Sequence, residues 1–372
     1  MKFNSTLEAF LALVRAGLWE KSVQLLPYGE FDLEAVCRLA GAQAVMGLAT
    51  AGLDHVDDVT LPKEEVLTFV GAVLPLEQRN LAMNRFISEM VEKLQKAGIN
   101  ALLVKGQGVA QCYEKPLWRT SGDVDFFLSE ENYEKAKGFL LRLASTVKTE
   151  GLYNKHLCMT VDSWVVELHG SLCSGLSGRI DKCLDDVKKE CFLFGRERSW
   201  MNGGTQVSLL CAENEAFYLF THILQHFYKG GIGLRQVCDW CRLLWTFRDE
   251  MDVDSLKNRI REAGLVSEWK AFGAFAVGFL GMPVVAMPMY STDLKWKRKA
   301  DMICSFILEV GNFGHNRDMS YFRSKPYVVR KAISMGRRMG DLVRHARIFP
   351  LDSFRFFPRI MFNGLSAAAR GE

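Results

Sequence analysis

The sequence predicts an α+β protein that is mostly helical, with a short α/β core between two helical regions. Residues 5–95 carry apolar side chains at three- and four-residue spacing, which is typical of amphipathic helices. After Gly98 the pattern changes to short apolar runs that suit buried strands, and from about residue 212 the helical spacing returns. The predicted domains are 1–95, 96–211 and 212–372.

The N-terminal region is predicted to hold three helices, of which the third is the longest. They cover residues 6–26, 31–52 and 62–98. In the core, the runs INALLVKG and GDVDFFL predict buried strands, and HLCMTVDSWVVELHGSL predicts a pair of strands. Between them, SEENYEKAKGFLLRLA predicts a helix that Ser129 caps.

Composition indicates a folded protein of a reducing compartment. Hydrophobic residues make up 49% of the 372 residues, and the ten cysteines show no disulfide framework spacing. The first residues lack a basic leader and a long apolar run, so we expect a cytoplasmic protein. The uncharged stretch 271–292 is interrupted by glycine and proline, and it predicts a buried helix ending near Leu280 instead of a membrane span.

Positive charge is concentrated at the C-terminus. Residues 316–372 hold twelve Lys or Arg against four Asp or Glu, although the whole chain carries a net charge of only +4. The arginines are spaced along a predicted amphipathic helix. This tail is either a contact surface for a phosphate-rich partner or an ordinary solvated helix face.

Carboxylates are placed where they predict a metal site. Asp123 and Asp125 share one face of a predicted strand, and Glu167 and His169 share a face of a later strand, because strand side chains alternate. Three carboxylates on adjacent strands form the oxygen-rich site that Mg²⁺ or Mn²⁺ prefers. Lys105 ends another strand before a glycine turn, and the helix that follows would receive phosphate at its N-terminus.

These residues resemble a known family. LLVKGQGVAQCYEKPLWRTSGDVDFFL, then VVELHGSL, then HILQHFYKGGIGLRQVCDWCRLL, is similar to an uncharacterised bacterial nucleotidyltransferase family of the DNA polymerase β-like superfamily. The resemblance implies a small mixed sheet backed by helices, with the active site at one edge. It also implies that Asp123 and Asp125 bind two divalent ions and that Glu167 completes one metal site.

The activity that the resemblance implies is transfer of a nucleoside monophosphate from a nucleoside triphosphate to an acceptor, with release of pyrophosphate. RNA or tRNA, a protein and a small molecule remain open as acceptors. A catalytically silent module that binds nucleotide or nucleic acid is one alternative. A toxin-like enzyme that modifies tRNA is another, because the Lys-Gly form of the turn also resembles nucleotidyltransferase toxins.

Nine residues are predicted to bind the nucleotide: Lys105, Gly106, Gln107, Arg119, Gly122, His169, His226, Arg235 and Asp239. The chain departs from the superfamily at the turn, where Lys-Gly-Gln replaces the common Gly-Ser. Several alternatives remain open. Arg119 is as suited to a carboxylate as to phosphate, His169 suits a structural role, and Arg235 with Asp239 has the spacing of a helix ion pair. His222 and His226 have zinc-ligand spacing but no third ligand nearby.

Overall fold

The computed structural model describes residues 3–148, 150, 155–312 and 327–369. It confirms the predicted class, a β-sheet surrounded by many helices. The α-helices are α1 (Ser5–Trp19), α2 (Leu33–Ala42), α3 (Met46–Leu53), α4 (Lys63–Lys96), α5 (Gly106–Ala110), α6 (Glu130–Leu140), α7 (Gly178–Phe194), α8 (Ala212–Lys229), α9 (Leu234–Thr246), α10 (Val253–Ala263), α11 (Val266–Leu280), α12 (Leu294–Val310), α13 (Tyr327–Ile348) and α14 (Pro350–Ala369).

The strands form one mixed sheet in the order β3-β4-β5-β2-β1-β7-β6. Their bounds are β1 (Ala101–Val104), β2 (Asp123–Leu128), β3 (Thr146–Val147), β4 (His156–Val161), β5 (Trp164–His169), β6 (Glu197–Asn202) and β7 (Thr205–Leu210). β2 pairs with β5 and β1 with β7 in parallel, and the other neighbours are antiparallel. The two strands that carry the predicted site are therefore direct neighbours.

The sheet separates two apolar cores. Val124, Phe126 and Leu168 point from β2 and β5 into a core that includes side chains of α4 and α6. Phe127 points the other way, into a larger core built mainly from helices. Because side chains alternate, the charged residues of β2 and β5 lie on the side of the larger core, and the sheet places them beneath α8 and α9.

The first two N-terminal helices are shorter than their apolar spacing predicts, whereas the third, α4, has the predicted length to within two residues at each end. The first ends at Trp19, because Glu20 has a φ of 50°, in the left-handed region that ends a helix. The second predicted helix is divided into α2 and α3 at Ala44, whose φ is 55°. The prediction was therefore wrong on their lengths, since one left-handed residue interrupts a helix without disturbing its apolar pattern.

In the core, the predicted β2 and the β4–β5 hairpin are confirmed, and Ser129 caps α6 by accepting a hydrogen bond from the Asn132 amide. The hairpin of β6 and β7 was not predicted. Its two-residue turn is Gly203-Gly204, between the paired Asn202 and Thr205, and Gly203 has a φ of 63°. Gly-Gly is one of the signals for a tight hairpin turn, so this element was recognisable from the sequence.

α11 ends at Leu280, where Gly281 adopts a φ of 68°, as the Gly-Pro turn predicts. Among the residues that the structure describes, each helix is either too short or too polar to cross a lipid bilayer. All ten cysteines lie in the described ranges and are free thiols.

The helical region that precedes the strands in the sequence packs against the helical region that follows them. Trp19 of α1 donates a hydrogen bond to the carbonyl of Leu280 in α11. Arg242 of α9 donates to the carbonyl of Leu18, at 2.7 Å. The basic tail is helical in α13, where Arg344 lies 2.7 Å from Glu309, while residues 316–326 of the predicted tail lie outside the described ranges.

Candidate active site

Three carboxylates meet at the strand pair β2 and β5. Asp123 and Asp125 lie on β2, and in the parallel register Asp125 is directly opposite Glu167 of β5. Alternate residues of a strand share a face, so the three side chains lie on the same side of the sheet. One oxygen atom from each lies within 4.8 Å of those from the other two. The structure therefore brings together the trio that the sequence predicts.

The carboxylates open into a cavity of about 310 Å³ between the sheet and two helices. From the sheet side it is lined by the carboxylates together with Lys105, Gly106, Gly122 and His169. From the helix side, α8 contributes Tyr218, His222 and His226, and α9 contributes Arg235. A cavity with charged groups on one wall and partly apolar groups on the other is typical of a small-ligand site.

Lys105 is the cation closest to the carboxylates. It follows β1 directly and adopts a φ of 60° with a ψ of −148°, a backbone conformation that non-glycine residues rarely adopt. Its Nζ lies 2.9 Å from Oδ1 of Asp125. Burial is the largest single influence and opposes the charged ammonium, but the charges of Asp125 and its neighbours, with the hydrogen bond to Asp125, together outweigh burial and raise the pKa of Lys105.

The two aspartates experience opposite environments. Burial, followed by repulsion from Asp125, raises the pKa of Asp123 above its ordinary value. Burial also opposes ionisation of Asp125, but the Lys105 ammonium and the hydrogen bond from His169 lower the pKa of Asp125 below its ordinary value. Asp125 is thus held as an anion, while Asp123 has no cation in contact to offset its burial.

Two histidines complete the sheet side of the site. His169 Nε2 lies 2.7 Å from Oδ1 of Asp125, and burial lowers the pKa of His169. His156 of β4 has its Nε2 3.0 Å from Oε2 of Glu167. The two imidazole rings stack with centroids 4.9 Å apart. His169 was predicted, whereas His156 was missed because its position opposite His169 depends on the register of the hairpin.

Arg119 contacts a carboxylate on a helix and not one of the site carboxylates. Its Nε and Nη2 donate to the two oxygens of Asp239, both at 2.7 Å, and its Nη1 donates to Ser121 at 2.9 Å. Tyr113 donates to the same Asp239 at 2.8 Å. This bidentate pair leaves little of the Arg119 guanidinium for phosphate, and it joins the loop before β2 to α9.

Gln107 lies outside the cavity, contrary to the direct nucleotide contact predicted for it. The side chain is buried, and its amide nitrogen donates to Asn80 of α4 at 2.9 Å and to Ser121 at 3.3 Å. Asn80 in turn donates to the carbonyls of Leu117 and Arg119, both at 2.7 Å. The Gln107 side-chain amide therefore holds the loop that precedes β2 in place. This structural role requires the side chain to be buried.

The helix side of the cavity is weakly charged. His222 and His226 contact each other through their Nε2 atoms at 3.0 Å, and burial, with the nearby charge of Lys105, lowers the pKa of His226 to about 4. Arg235 donates to the carbonyl of Thr120 at 3.1 Å and Asp239 pairs with Arg119, which disfavours the open alternative of an Arg235–Asp239 ion pair. Both histidines are therefore neutral near pH 7.

Family comparison agrees with this geometry. The model of an uncharacterised nucleotidyltransferase family matches residues 29–279, which is more than half of the chain. The chain belongs to this nucleotidyltransferase family. The matched range contains the whole sheet and the cavity-lining parts of α8 and α9.

Other comparisons add little to the nucleotidyltransferase assignment. No curated protein shows significant similarity to the sequence. Among solved structures, the chain is similar to an antigenic nucleotidyltransferase-like protein from Paracoccidioides brasiliensis, at 14% identity and a TM-score of 0.33. That similarity covers 54% of this chain and 93% of the other. So low a TM-score does not establish a shared fold.

The donor set of the site fits a hard divalent cation. Asp123, Asp125 and Glu167 offer only oxygen ligands, and Lys105 supplies a single positive charge against three negative ones. Mg²⁺ and Mn²⁺ bind through such oxygen ligands. The excess negative charge at this site, in which Asp125 is buried, is therefore suited to one or two such ions.

Proposed function

We propose that the protein is a metal-dependent nucleotidyltransferase that transfers a nucleoside monophosphate from a nucleoside triphosphate to an acceptor. An acceptor oxygen would form the new bond to the α-phosphorus, and the bond to the β-phosphate bridge would break to release pyrophosphate. The carboxylate cluster that opens into the cavity, beside Lys105, carries the proposal. Nothing in the comparisons favours a catalytically silent binding module.

Each carboxylate has a distinct role in this proposal. Asp123 and Asp125 would hold Mg²⁺ or Mn²⁺, and Glu167 would complete one of the ion sites. A bound ion of this kind lowers the pKa of the attacking hydroxyl and neutralises charge on the triphosphate. Asp123 is the member that gains most from a cation, because the charge of Lys105 only partly offsets its burial and its repulsion from Asp125, and its pKa stays raised.

The phosphates would lie toward Lys105, Gly106 and Gly122. The Lys105 ammonium faces the cavity as a compact point charge, which suits a phosphate oxygen. Gly122 is exposed beside Asp123 and offers its backbone without a side chain in the way. We propose that Arg235, at the opposite wall, provides the second positive charge.

The helix-side residues would hold the nucleoside. His226 and His169 are partly buried imidazoles that face the cavity and offer hydrogen bonds without charge. Asp239 would act indirectly, because its oxygens are engaged by Arg119. We keep Arg119 and Gln107 in the proposal only as residues that position the loop before β2.

The cavity volume bears on the acceptor. A volume of about 310 Å³ is at the lower end of the range of about 300–1,000 Å³ that holds one small ligand. The cavity therefore suits one nucleotide, and the acceptor would approach at its mouth. A hydroxyl or phosphate of RNA, including tRNA, of a protein or of a small molecule remains compatible with this arrangement.

Nucleotide labelled at the α-phosphate tests the proposal. The full chain is incubated with each labelled triphosphate, Mg²⁺ or Mn²⁺ and mixed acceptors, and label transfer is compared for the wild type, Asp123→Asn and Asp249→Asn. Asp249 is an exposed surface carboxylate, so Asp249→Asn controls for loss of one negative charge. We expect Asp123→Asn to lower transfer by at least about a hundredfold and Asp249→Asn to leave it unchanged. Equal transfer by all three proteins contradicts the proposal.

A further inference from the structure

The β4–β5 hairpin places two imidazoles and a carboxylate on one face. His156 is directly opposite His169 in the antiparallel register, and Glu167 precedes His169 by two residues. Residues that are opposite or two apart on a strand share a face, so the three side chains necessarily converge. One donor atom from each lies within 4.8 Å of the others.

The distances between these donor atoms suit coordination of one ion. Glu167 Oε2 lies 3.0 Å from His156 Nε2 and 3.6 Å from His169 Nε2. Ligands at about 2.1 Å from a tetrahedral metal lie about 3.4 Å from each other. His156 is 37% exposed and faces the cavity, so an ion can enter without unfolding the hairpin.

The ligand chemistry differs from that of the three-carboxylate site. Imidazole nitrogen suits first-row transition ions, whereas Mg²⁺ requires oxygen ligands. We propose that His156, Glu167 and His169 form a second metal site that selects a transition ion such as Co²⁺ or Zn²⁺ over Mg²⁺. Glu167 belongs to both sites and would bridge them.

Asp125 would remain neutralised when this second site fills. His169 Nε2 now hydrogen-bonds to Oδ1 of Asp125, and a metal at Nε2 would replace that contact. The same Oδ1 accepts from Lys105 at 2.9 Å, so Asp125 keeps a cation beside it. The consequence for catalysis rests on the proposed function: a transition ion beside the carboxylate site would raise transfer above that seen with Mg²⁺ alone.

Co²⁺ binding to the full chain without nucleotide tests the site. Co²⁺ is added in the presence of about a hundredfold excess of Mg²⁺, which fills the oxygen-only site, and its visible absorption and affinity are measured. We expect His156→Ala, His156→Gln and His169→Ala each to weaken Co²⁺ binding at least about tenfold. His55→Ala, which removes an imidazole that does not line the cavity, is expected to bind as the wild type does.

Three results would overturn the second site. They are unchanged Co²⁺ affinity in both His156 variants, displacement of Co²⁺ by the excess Mg²⁺, and loss of Co²⁺ binding in the double variant of His222 and His226 to alanine instead. Thermal unfolding of each variant checks that it is folded. Asp123→Asn separates the two proposals, because it should abolish nucleotidyl transfer while Co²⁺ stays bound at the histidines.

Discussion

At the residue scale, the most constrained charges of the molecule are paired across long sequence distances. Arg119 and Asp239 have side chains only 4% and 5% exposed, and they are 120 residues apart. A buried ion pair is costly to break, because the remaining charge stays buried without a partner. The pair therefore contributes to holding the loop before β2 against α9.

Replacing Asp239 with alanine tests this pair. We expect the free energy of unfolding to fall by roughly 3–5 kcal/mol, because the Arg119 charge stays buried without its partner. Asp54→Ala is the matched control, since Asp54 pairs with Lys115 at 2.7 Å with exposed side chains, and exposed pairs contribute about 1 kcal/mol or less. Urea denaturation measures both. Equal losses in the two variants would refute the structural role given to Asp239.

The sequence predicted part of the site and missed the rest for physical reasons. Strand alternation suffices to place Asp123 with Asp125, because that rule is local, whereas Glu167 joins them only through the pairing of β2 with β5. The contacts of Arg119 and Gln107 depend on α9 and α4, which are distant in sequence, and no local pattern indicates them. His156 depends on a cross-strand register that only the folded hairpin defines.

At the element scale, a carboxyl pair attaches the C-terminal α14 to α11. Glu268 of α11 is fully buried, accepts a hydrogen bond from Tyr228 at 3.3 Å and is hydrogen-bonded to Asp352 of α14. Burial, followed by repulsion from Asp352, raises the pKa of Glu268 well above its ordinary value. Glu268 is therefore protonated over a range of pH in which exposed glutamates are charged.

This raised pKa predicts how stability depends on pH. A carboxyl whose pKa is higher in the folded than in the unfolded chain stabilises the fold fully below its unfolded pKa, near 4.5. That stability is lost as pH rises from there through the folded pKa. We expect Glu268→Gln, which cannot ionise, to lose less stability than the wild type between pH 5 and pH 8, as measured by urea denaturation. Glu250→Gln, at an exposed glutamate, is the control and should show the same pH dependence of stability as the wild type. If Glu268 were already charged at pH 5, Glu268→Gln would also show the wild-type pH dependence, which would contradict the prediction.

At the scale of the whole molecule, the sheet is enclosed by helices from both ends of the chain. α1 contacts α11 through the hydrogen bond from Trp19 to the Leu280 carbonyl, and Trp19 also packs edge-on against Trp245 with ring centroids 6.0 Å apart. The apolar spacing predicts each of these helices, but it does not indicate which faces meet. One core contains side chains from both helical regions, so the packing does not separate the predicted domains. The domain boundaries stay a prediction.

Shared packing predicts that damage to α1 reaches α11. Trp19→Ala should lower the free energy of unfolding by about 3–5 kcal/mol and speed hydrogen exchange of the Val266–Leu280 amides. Trp200→Ala is the control, because Trp200 is partly buried and packs against the other apolar core, on the opposite face of the sheet. If α11 keeps its protection in Trp19→Ala while stability falls, the two helical regions are energetically independent.

The central claim is that Asp123, Asp125 and Glu167 hold the cation that nucleotidyl transfer requires. The most direct measurement is a crystal structure with Mn²⁺ and a nonhydrolysable nucleoside triphosphate, in which anomalous scattering locates the metal. We predict an anomalous peak coordinated by oxygens of the three carboxylates, with the triphosphate bound to the same ion beside Lys105. A triphosphate bound in the cavity with no metal at these carboxylates would contradict the account.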